Sequence, residues 1–422
     1  MLHKSFFFPL FLIAIISCNK KTQQPQTKIF NELEATSTGI YFSNTIIETD
    51  SLNYFNYSSI YSGGGVSTGD INNDGLVDIF FTGNQAQNKL YLNKGNLQFE
   101  DITENAGVGG DGRWYTGTTM ADVNGDGFLD IYCAVSGMFQ PTENQLFINN
   151  GNGTFTEMAQ QYGVADSANS TQGTFFDYDN DGDLDLYVAN YPKANVNTSP
   201  FSYKNKMQTV TDAECDKLYR NDGDTFTNVS EIAGVKSYGF SYGVTVGDIN
   251  NDGWQDIYVS SDYSIPDYFY LNNGDGTFKE VIKEATSQTA FYGMGLDIAD
   301  FNNDENLDIF QADMDANNNR RQKANMASMN PKLFWETVLS GFHYQYMHNC
   351  MQLNTGIQLN GVPQFSNISR LTGTSSTDWS WGPVFADFDN DGNKDLFITN
   401  GIRREVNNRD FFNTYSKNDT TK

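Results

Sequence analysis

Six nine-residue segments place carboxylates and amides at alternate positions: DINNDGLVD (70–78), DVNGDGFLD (122–130), DYDNDGDLD (177–185), DINNDGWQD (248–256), DFNNDENLD (300–308) and DFDNDGNKD (387–395). Positions one, five and nine are Asp in every copy, and position three is Asn or Asp. A hard cation such as calcium takes about six to eight oxygen ligands in a forgiving geometry, and a tight loop offering oxygens at alternate residues can supply them. The expected ligands are the side chains at one, three, five and nine and the backbone carbonyl at seven. These are Asp70, Asn72, Asp74, Leu76 and Asp78; Asp122, Asn124, Asp126, Phe128 and Asp130; Asp177, Asp179, Asp181, Asp183 and Asp185. The later loops contribute Asp248, Asn250, Asp252, Trp254 and Asp256; Asp300, Asn302, Asp304, Asn306 and Asp308; Asp387, Asp389, Asp391, Asn393 and Asp395. About one calcium ion per loop is expected. The site at Asp300 to Asp308 is the weakest, because Glu305 stands where the other copies have the Gly that a sharp turn requires.

Any single copy also reads as an Asx-turn that needs no metal; six copies with three fixed aspartates favour the cation. The opening of each loop is similar to an EF-hand. Yet position twelve holds Phe81, Cys133, Val188, Val259, Gln311 or Ile398 instead of the closing Glu, and amphipathic flanking helices are not seen.

The loops must be positioned by strands. After each comes a β-branched or aromatic run (DIFFTG, DIYCAV, DLYVAN, DIYVSS, DIFQAD, DLFITN), and before each an alternating segment. A Gly stands five residues ahead of the first Asp in five copies, at Gly65, Gly117, Gly243, Gly295 and Gly382; in the third it is Gly173, four ahead. Hairpin patterns follow: NKLYLNKGNLQFEDIT, NQLFINNGNGTFTEMA, DKLYRNDGDTFTNVS, DYFYLNNGDGTFKEV and a degenerate copy at 345–369. First aspartates are separated by 52, 55, 71, 52 and 87 residues. A four-stranded unit recurring at about 50 residues predicts propeller blades, and calcium β-helices repeat far more tightly. The expected fold is therefore all-β, a calcium-binding β-propeller of six to seven four-stranded blades over residues 29–405. A seventh blade, or a closing clasp, is expected from residues 28–62 and the C-terminal tail 406–422, since an open sheet edge invites aggregation.

A net charge of −26 argues against nucleic acid or anionic lipid as a partner. Of four cysteines, Cys133 sits in an apolar run and reads as a buried thiol; pairing of Cys215 with Cys350 is left open. The N-terminus has a short basic start and an apolar run from Phe6 to Ile16, too short to span a bilayer and suited to a secretory signal over 1–17. Ile15-Ile16-Ser17-Cys18 resembles a bacterial lipobox, which implies cleavage before Cys18 and its acylation, followed by a polar tether to residue 28. A plain signal peptide with a coincidental Cys is the competing reading.

The Gly-containing approach strand with D-x-[ND]-x-D-G-x-x-D resembles the FG-GAP or VCBS repeat family, whose type architecture is the integrin α-subunit propeller, across Gly63 to Gly401. The lipobox and LNNGDGTF hairpin are similar to bacterial VCBS-repeat lipoproteins of the cartilage acidic protein and ASPIC/UnbV group. That resemblance implies an extracytoplasmic, membrane-anchored module at the outer membrane or cell surface that binds an external protein or glycan. No ASPIC/UnbV segment follows the sixth loop, so the chain is read as a fragment or a shortened relative. The alternatives are a polysaccharide-active enzyme on the same shell and the N-terminal part of a longer protein.

Insertions at 191–214 and 316–347 are candidates for recognition or for packing against a propeller face; Arg320, Arg321, Lys323 and Trp335 lie in the second. Trp379 and Trp381 read as packing residues between blades, with a sugar platform as the other reading. No catalytic residue is assigned: His343 and His348 lack zinc-protease spacing, and nucleophile elbows and phosphate loops are not found.

Overall fold

Each acidic loop joins two antiparallel strands, and the sequence on either side explains why. The computed structural model describes residues 29–194, 198–324, 330–401, 408 and 410. The signal segment, Cys18, the tether and most of the tail lie outside the described residues. Within the unit Glu34–Lys422, sheet one comprises Val66–Gly69, Asp78–Phe81, Lys89–Asn93 and Phe99–Asp101, and sheet two Tyr115–Ala121, Asp130–Val135, Gln145–Asn149 and Phe155–Glu157. Sheet three runs through Ser170–Phe176, Asp185–Asn190, Lys217–Asn221 and Phe226–Asn228, and sheet four through Ser241–Gly247, Asp256–Ser261, Tyr268–Asn272 and Phe278–Glu280. Sheet five is Leu296–Ala299, Asp308–Gln311, Cys350–Leu359 and Val362–Asn367; sheet six is Ser380–Ala386 and Asp395–Asn400. In all of them neighbours in sequence are antiparallel neighbours in space. A small parallel pair joins Thr289–Ala290 to Gln345–Tyr346.

The second strands of sheets two to five read as continuous apolar runs because sheets cover both their faces. Phe80, Ile131, Cys133 and Phe147 fill the space between sheets one and two; Tyr132, Leu146, Leu186 and Val188 that between two and three. Tyr187, Val259 and Tyr270 do the same between three and four, Tyr258, Phe269 and Ile309 between four and five, and Phe310 with Phe385 and Leu396 between five and six. The first strands lie side by side in sequence order, and all six sheets contribute to the lining of one cavity where those strands begin.

The recurrent Gly has its reason here. A Cβ on Gly65 would stand 2.5 Å from the Thr118 nitrogen, one on Gly117 2.6 Å from the Thr171 carbonyl oxygen, and one on Gly295 2.4 Å from that of Trp381. Backbone meets backbone between successive sheets, so a side chain has no room to give way. Gly295→Ala is expected to cost about 2 kcal/mol or more of unfolding free energy, within the range for overpacking, measured by urea denaturation. A wild-type midpoint in the variant would contradict this packing.

The architecture departs from expectation in three ways. It is mostly β, not purely β: the outer strands are followed by short helices such as Thr103–Ala106, Ala159–Tyr162 and Ser230–Ala233. The closing polar residue of the strand caps each one, as Asp101 accepts the Thr103 N–H and Asn228 the Ser230 N–H. Five sheets have four strands and the sixth has two among the described residues, since no hairpin of the repeated pattern follows Asn400 there. Residues 34–62 form no strand; they hold a helix at Ala35–Thr38 and a 3-10 turn at Ser58–Tyr61. Gly39 after that helix packs on Phe99 of sheet one, as Gly163 packs on Phe226 of sheet three, so this stretch is the end of a unit but adds no strand.

Both insertions pack. Helices Pro200–Lys206 and Pro331–Leu339 touch each other, with Tyr203 and Phe342 in the core of sheets three and four. Pro331 starts its helix, capped by Asn330. Cys133, Cys215 and Cys350 are buried free thiols. Among the described residues no helix is long and apolar enough to cross a membrane.

Candidate metal centres

Asp at position one organises every loop through its own carboxylate. Asp70 accepts the N–H of Asp74 at 3.1 Å and of Gly75 at 2.7 Å; Asp122, Asp177, Asp248, Asp300 and Asp387 accept the equivalent pair. The turn needs left-handed backbone at position six, where φ is 86° at Gly75 and 91° at Gly253, and also at position four, where it is 59° at Asn73 and at Asn251. Asn tolerates that region better than most residues. The position-four amide reaches the next loop: Asn73 Nδ2 donates to Gly127 O at 2.9 Å, and Asn180, Asn251 and Asn303 donate likewise to Gly253, Glu305 and Gly392. Four of the five adjacent pairs are linked in this way, the second loop having Gly125 at position four, and the acidic loops stand in a row at the far ends of the first strands from the cavity.

The fifth loop takes the shape of the others although Glu305 must hold φ at 71°. A left-handed non-glycine residue costs about 1–2 kcal/mol, offset in part by the greater unfolded-state freedom of Gly. Glu305→Gly should raise stability by about 1 kcal/mol, read as a later urea midpoint; an earlier one would mean that Glu305 makes a compensating contact.

Position nine ties the loop to the sheets. In five loops one oxygen of this Asp accepts the position-two N–H, as Asp78 does from Ile71 and Asp256 from Ile249, both at 3.0 Å. In the first five loops the other oxygen accepts the N–H of an Asn closing the third strand: Asn93, Asn149, Asn221, Asn272 and Asn354. That Asn positions the loop, and the sequence reading did not single it out. Its Nδ2 crosses to the preceding sheet's loop, from Asn149 to Ile71 O at 2.8 Å, Asn221 to Val123 O at 3.0 Å, Asn272 to Tyr178 O at 2.7 Å and Asn354 to Ile249 O at 3.2 Å. Its signal was present as the recurring Asn in LYLN, LFIN, LYRN, FYLN and MQLN.

In the second to fifth loops burial pushes this carboxyl above the usual range, with repulsion from the loop's other aspartates adding to it: to about 6 at Asp130 and Asp308 and about 7 at Asp185 and Asp256. Backbone N–H bonds oppose the rise without cancelling it. A nearby cation favours the charged form, and each oxygen keeps a lone pair for it beside the hydrogen bond it accepts.

The donor set passes a test of fit for a divalent cation most clearly in the third and sixth loops. Asp177, Asp179 and Asp185 can bring one oxygen each within 4.8 Å of the others, as can Asp387, Asp389 and Asp395. In the third loop Asp179 Oδ1 and Asp183 Oδ1 are buried without a hydrogen-bond partner in the protein, an arrangement that is costly unless something positive faces them. Four other loops carry Asn at position three, and its Nδ2 donates to the position-five carboxylate, at 3.0 Å from Asn72 to Asp74.

Of the other residues marked by sequence, Arg321 pairs with Asp378, Trp335 is exposed and Trp379 buried. Cys18 lies outside the described residues.

A family model described as an FG-GAP-like repeat matches residues 70–133, 134–188, 209–259 and 254–310, which hold the first five loops. Cartilage acidic protein 1 of Xenopus tropicalis is 26% identical over 266 residues, covering 58% of this chain and 39% of that protein. The Homo sapiens protein of the same name is 29% identical over 202 residues, 46% of this chain and 29% of its own. The chain thus spans well under half the length of these curated relatives. Among solved structures, an Agrocybe aegerita lectin that recognises non-reducing terminal N-acetylglucosamine is similar at a TM-score of 0.45 and 16% identity, covering 82% of this chain and 77% of the lectin. The V. cholerae biofilm matrix protein Bap1 is similar at a TM-score of 0.33 and 14% identity, covering 60% of this chain and 35% of its own.

Proposed function

The chain belongs to the FG-GAP-like repeat family, and from that premise we propose that it is a calcium-clamped β-propeller, held outside the cytoplasm by a lipid on Cys18, that binds an external glycan or protein. The observation carrying the reading is the row of six loops, in each of which position nine is a carboxylate at the start of a strand with position one facing it across the turn. In the first five the same Asp is also bonded to the third strand. A cation held there would relieve the repulsion between the two ends of the turn, so that metal binding and sheet packing would be coupled.

The ion adds no bond-making chemistry to this reading. Asp177, Asp179, Asp181 and Asp185 with the carbonyl of Asp183 would hold it in the third loop, and their counterparts would do so in the others. Binding modules on such scaffolds use the rigidity of the sheets to hold recognition groups fixed, which lowers the ordering cost of association.

Calorimetric titration of calcium into the soluble form, residues 19–422, tests the reading. About six equivalents are expected, the third and sixth loops filling first because they offer the most carboxylates. Absence of binding heat together with an unchanged melting temperature would sink it. The anchor is tested separately: Cys18→Ala should release the protein from the membrane fraction of its host, and retention there would remove the lipid from the proposal.

A further inference from the structure

The face opposite the acidic loops contains something the metal reading does not use. Where the first strands begin, a cavity of about 600 Å³ is walled by all six sheets and lined by Trp114, Tyr191, Tyr242 and Trp381 among others. A second cavity of about 410 Å³ lies at the seam between sheets one and six, beside Trp379, Asn44 and Asn84. Ser62, Gly63 and Trp381 line both, so the two adjoin. The seam exists because sheet six has no neighbour of the usual kind on its far side. A Cβ on Gly382 would meet only Thr399 of its own sheet, at 3.3 Å, whereas the same position in sheets one, two and five is pressed against the next sheet's backbone.

The lining is informative by its chemistry. The chain carries 52 acidic residues, yet among the described residues neither cavity is lined by an Asp, Glu, Lys, Arg or His. An ionic ligand would be stripped of water there with no opposite charge to receive it. The amides and hydroxyls of Asn44, Asn169, Gln172 and Thr116 are bonded within the protein but keep further donor and acceptor positions, which a wholly apolar ligand would leave unused. An uncharged molecule with C–H faces for the aromatic rings and hydroxyl edges for the polar groups meets both conditions, and a neutral saccharide is that kind of molecule. Trp381 is the residue placed to serve both cavities. Its indole N–H donates to the Gly401 carbonyl at 2.9 Å, which fixes the ring before any ligand arrives. First strands of up to seven residues put this cleft about 15–20 Å from the acidic loops at about 3.3 Å per residue.

We propose that the cleft at the seam of sheets one and six binds a neutral saccharide, with Trp381 as its platform. This rests on the reading of the chain as a binding module and supplies its ligand class.

The test uses the soluble form with calcium, a panel of neutral oligosaccharides (cello-, xylo-, manno- and chito-hexaoses) and acidic controls (oligogalacturonate and a heparin hexasaccharide), followed by tryptophan fluorescence and calorimetry. At least one neutral oligosaccharide is expected to bind and the acidic ones are not. Trp381→Ala should weaken binding by about tenfold or more and Trp381→Phe by about threefold or less, the scale of losing or keeping one aromatic face. Ser62→Glu, which puts a carboxylate on the shared wall, should abolish binding at an unchanged melting temperature, and it serves if Trp381→Ala does not fold. No binding anywhere in the neutral panel, equal binding of the acidic controls, or binding indifferent to Trp381 and Ser62 would each overturn the proposal. If saccharides fail while calcium still raises the melting temperature, only this inference falls; if Trp381-dependent binding persists without any calcium effect, the metal reading falls and this one stands.

Discussion

Removing divalent cations with a chelator is expected to lower the melting temperature of the soluble form by about 20 °C, and restoring calcium to recover it. A ligand at a hundredfold excess over its Kd stabilises the native state by about 2.7 kcal/mol per site. Unfolding entropy is about 2.1 cal/mol/K per residue, so a unit of roughly 370 residues needs about 0.8 kcal/mol for each degree. Six filled loops then shift the transition by about 20 °C, and two filled loops by about 7 °C. The size of the shift therefore separates a metal in every loop from metal only at Asp177/Asp179/Asp185 and Asp387/Asp389/Asp395, the two tight carboxylate clusters. Asp181→Ala, which deletes one expected ligand of the third loop, should cut the shift by about 3 °C and remove one equivalent from the titration. A melting temperature indifferent to chelator would leave the loops as metal-free Asx-turns, because the hydrogen bonds accepted by Asp70 and its counterparts hold the turn by themselves.

The loops and strands were legible because their information is local. Nine consecutive residues contain the position-one carboxylate, the N–H groups it accepts and the Gly or Asn that permits the turn, so the nine-residue scheme alone implies the conformation. The glycine five residues before five of the loops was legible only as a pattern. Its cause is the neighbouring sheet's backbone, as with Gly117 against Thr171 more than 50 residues away. The third-strand Asn escaped notice for the same reason: from Asn272 to Tyr178 and from Asn354 to Ile249 the partner lies 94 and 105 residues back, in another sheet. The seam cleft was the least legible feature. Residues 44–63 and 379–401 meet there through closure of the whole array, and Trp381, which the sequence marks as a packing residue, lies half-exposed between two cavities.

Without metal, the protein should become more stable as the pH falls from about 8 to about 6, and with calcium present this gain should vanish or reverse. Burial raises Asp216 to about 6 and Asp267 and Asp313 to about 7, beside the position-nine aspartates already described. A carboxyl raised in the native state holds a proton that the unfolded chain releases above its ordinary value of 3.8. Each such group therefore leaves stability intact below about pH 4 and removes it progressively as pH rises toward the native value near 7. Calcium sets the opposite sign for the loop aspartates, because acid must displace the ion before it can protonate them. Asp267 isolates the effect from the metal. Its Oδ1 accepts the Ser261 N–H at 2.9 Å and its Oδ2 the Tyr258 hydroxyl, also at 2.9 Å. In sheet two the equivalent residue is Asn144, which accepts the Val135 N–H and donates to the Tyr132 hydroxyl, so the site already works with an amide. Asp267→Asn should then keep the fold, remove part of the pH dependence in chelator and gain on the order of 2–3 kcal/mol at pH 8, at about 1.4 kcal/mol per pKa unit with allowance for relaxation. Urea midpoints of both proteins at pH 6 and pH 8 decide it: a variant less stable than wild type at pH 8 would mean that Asp267 is held ionised by its hydrogen bonds, and that burial does not govern its proton.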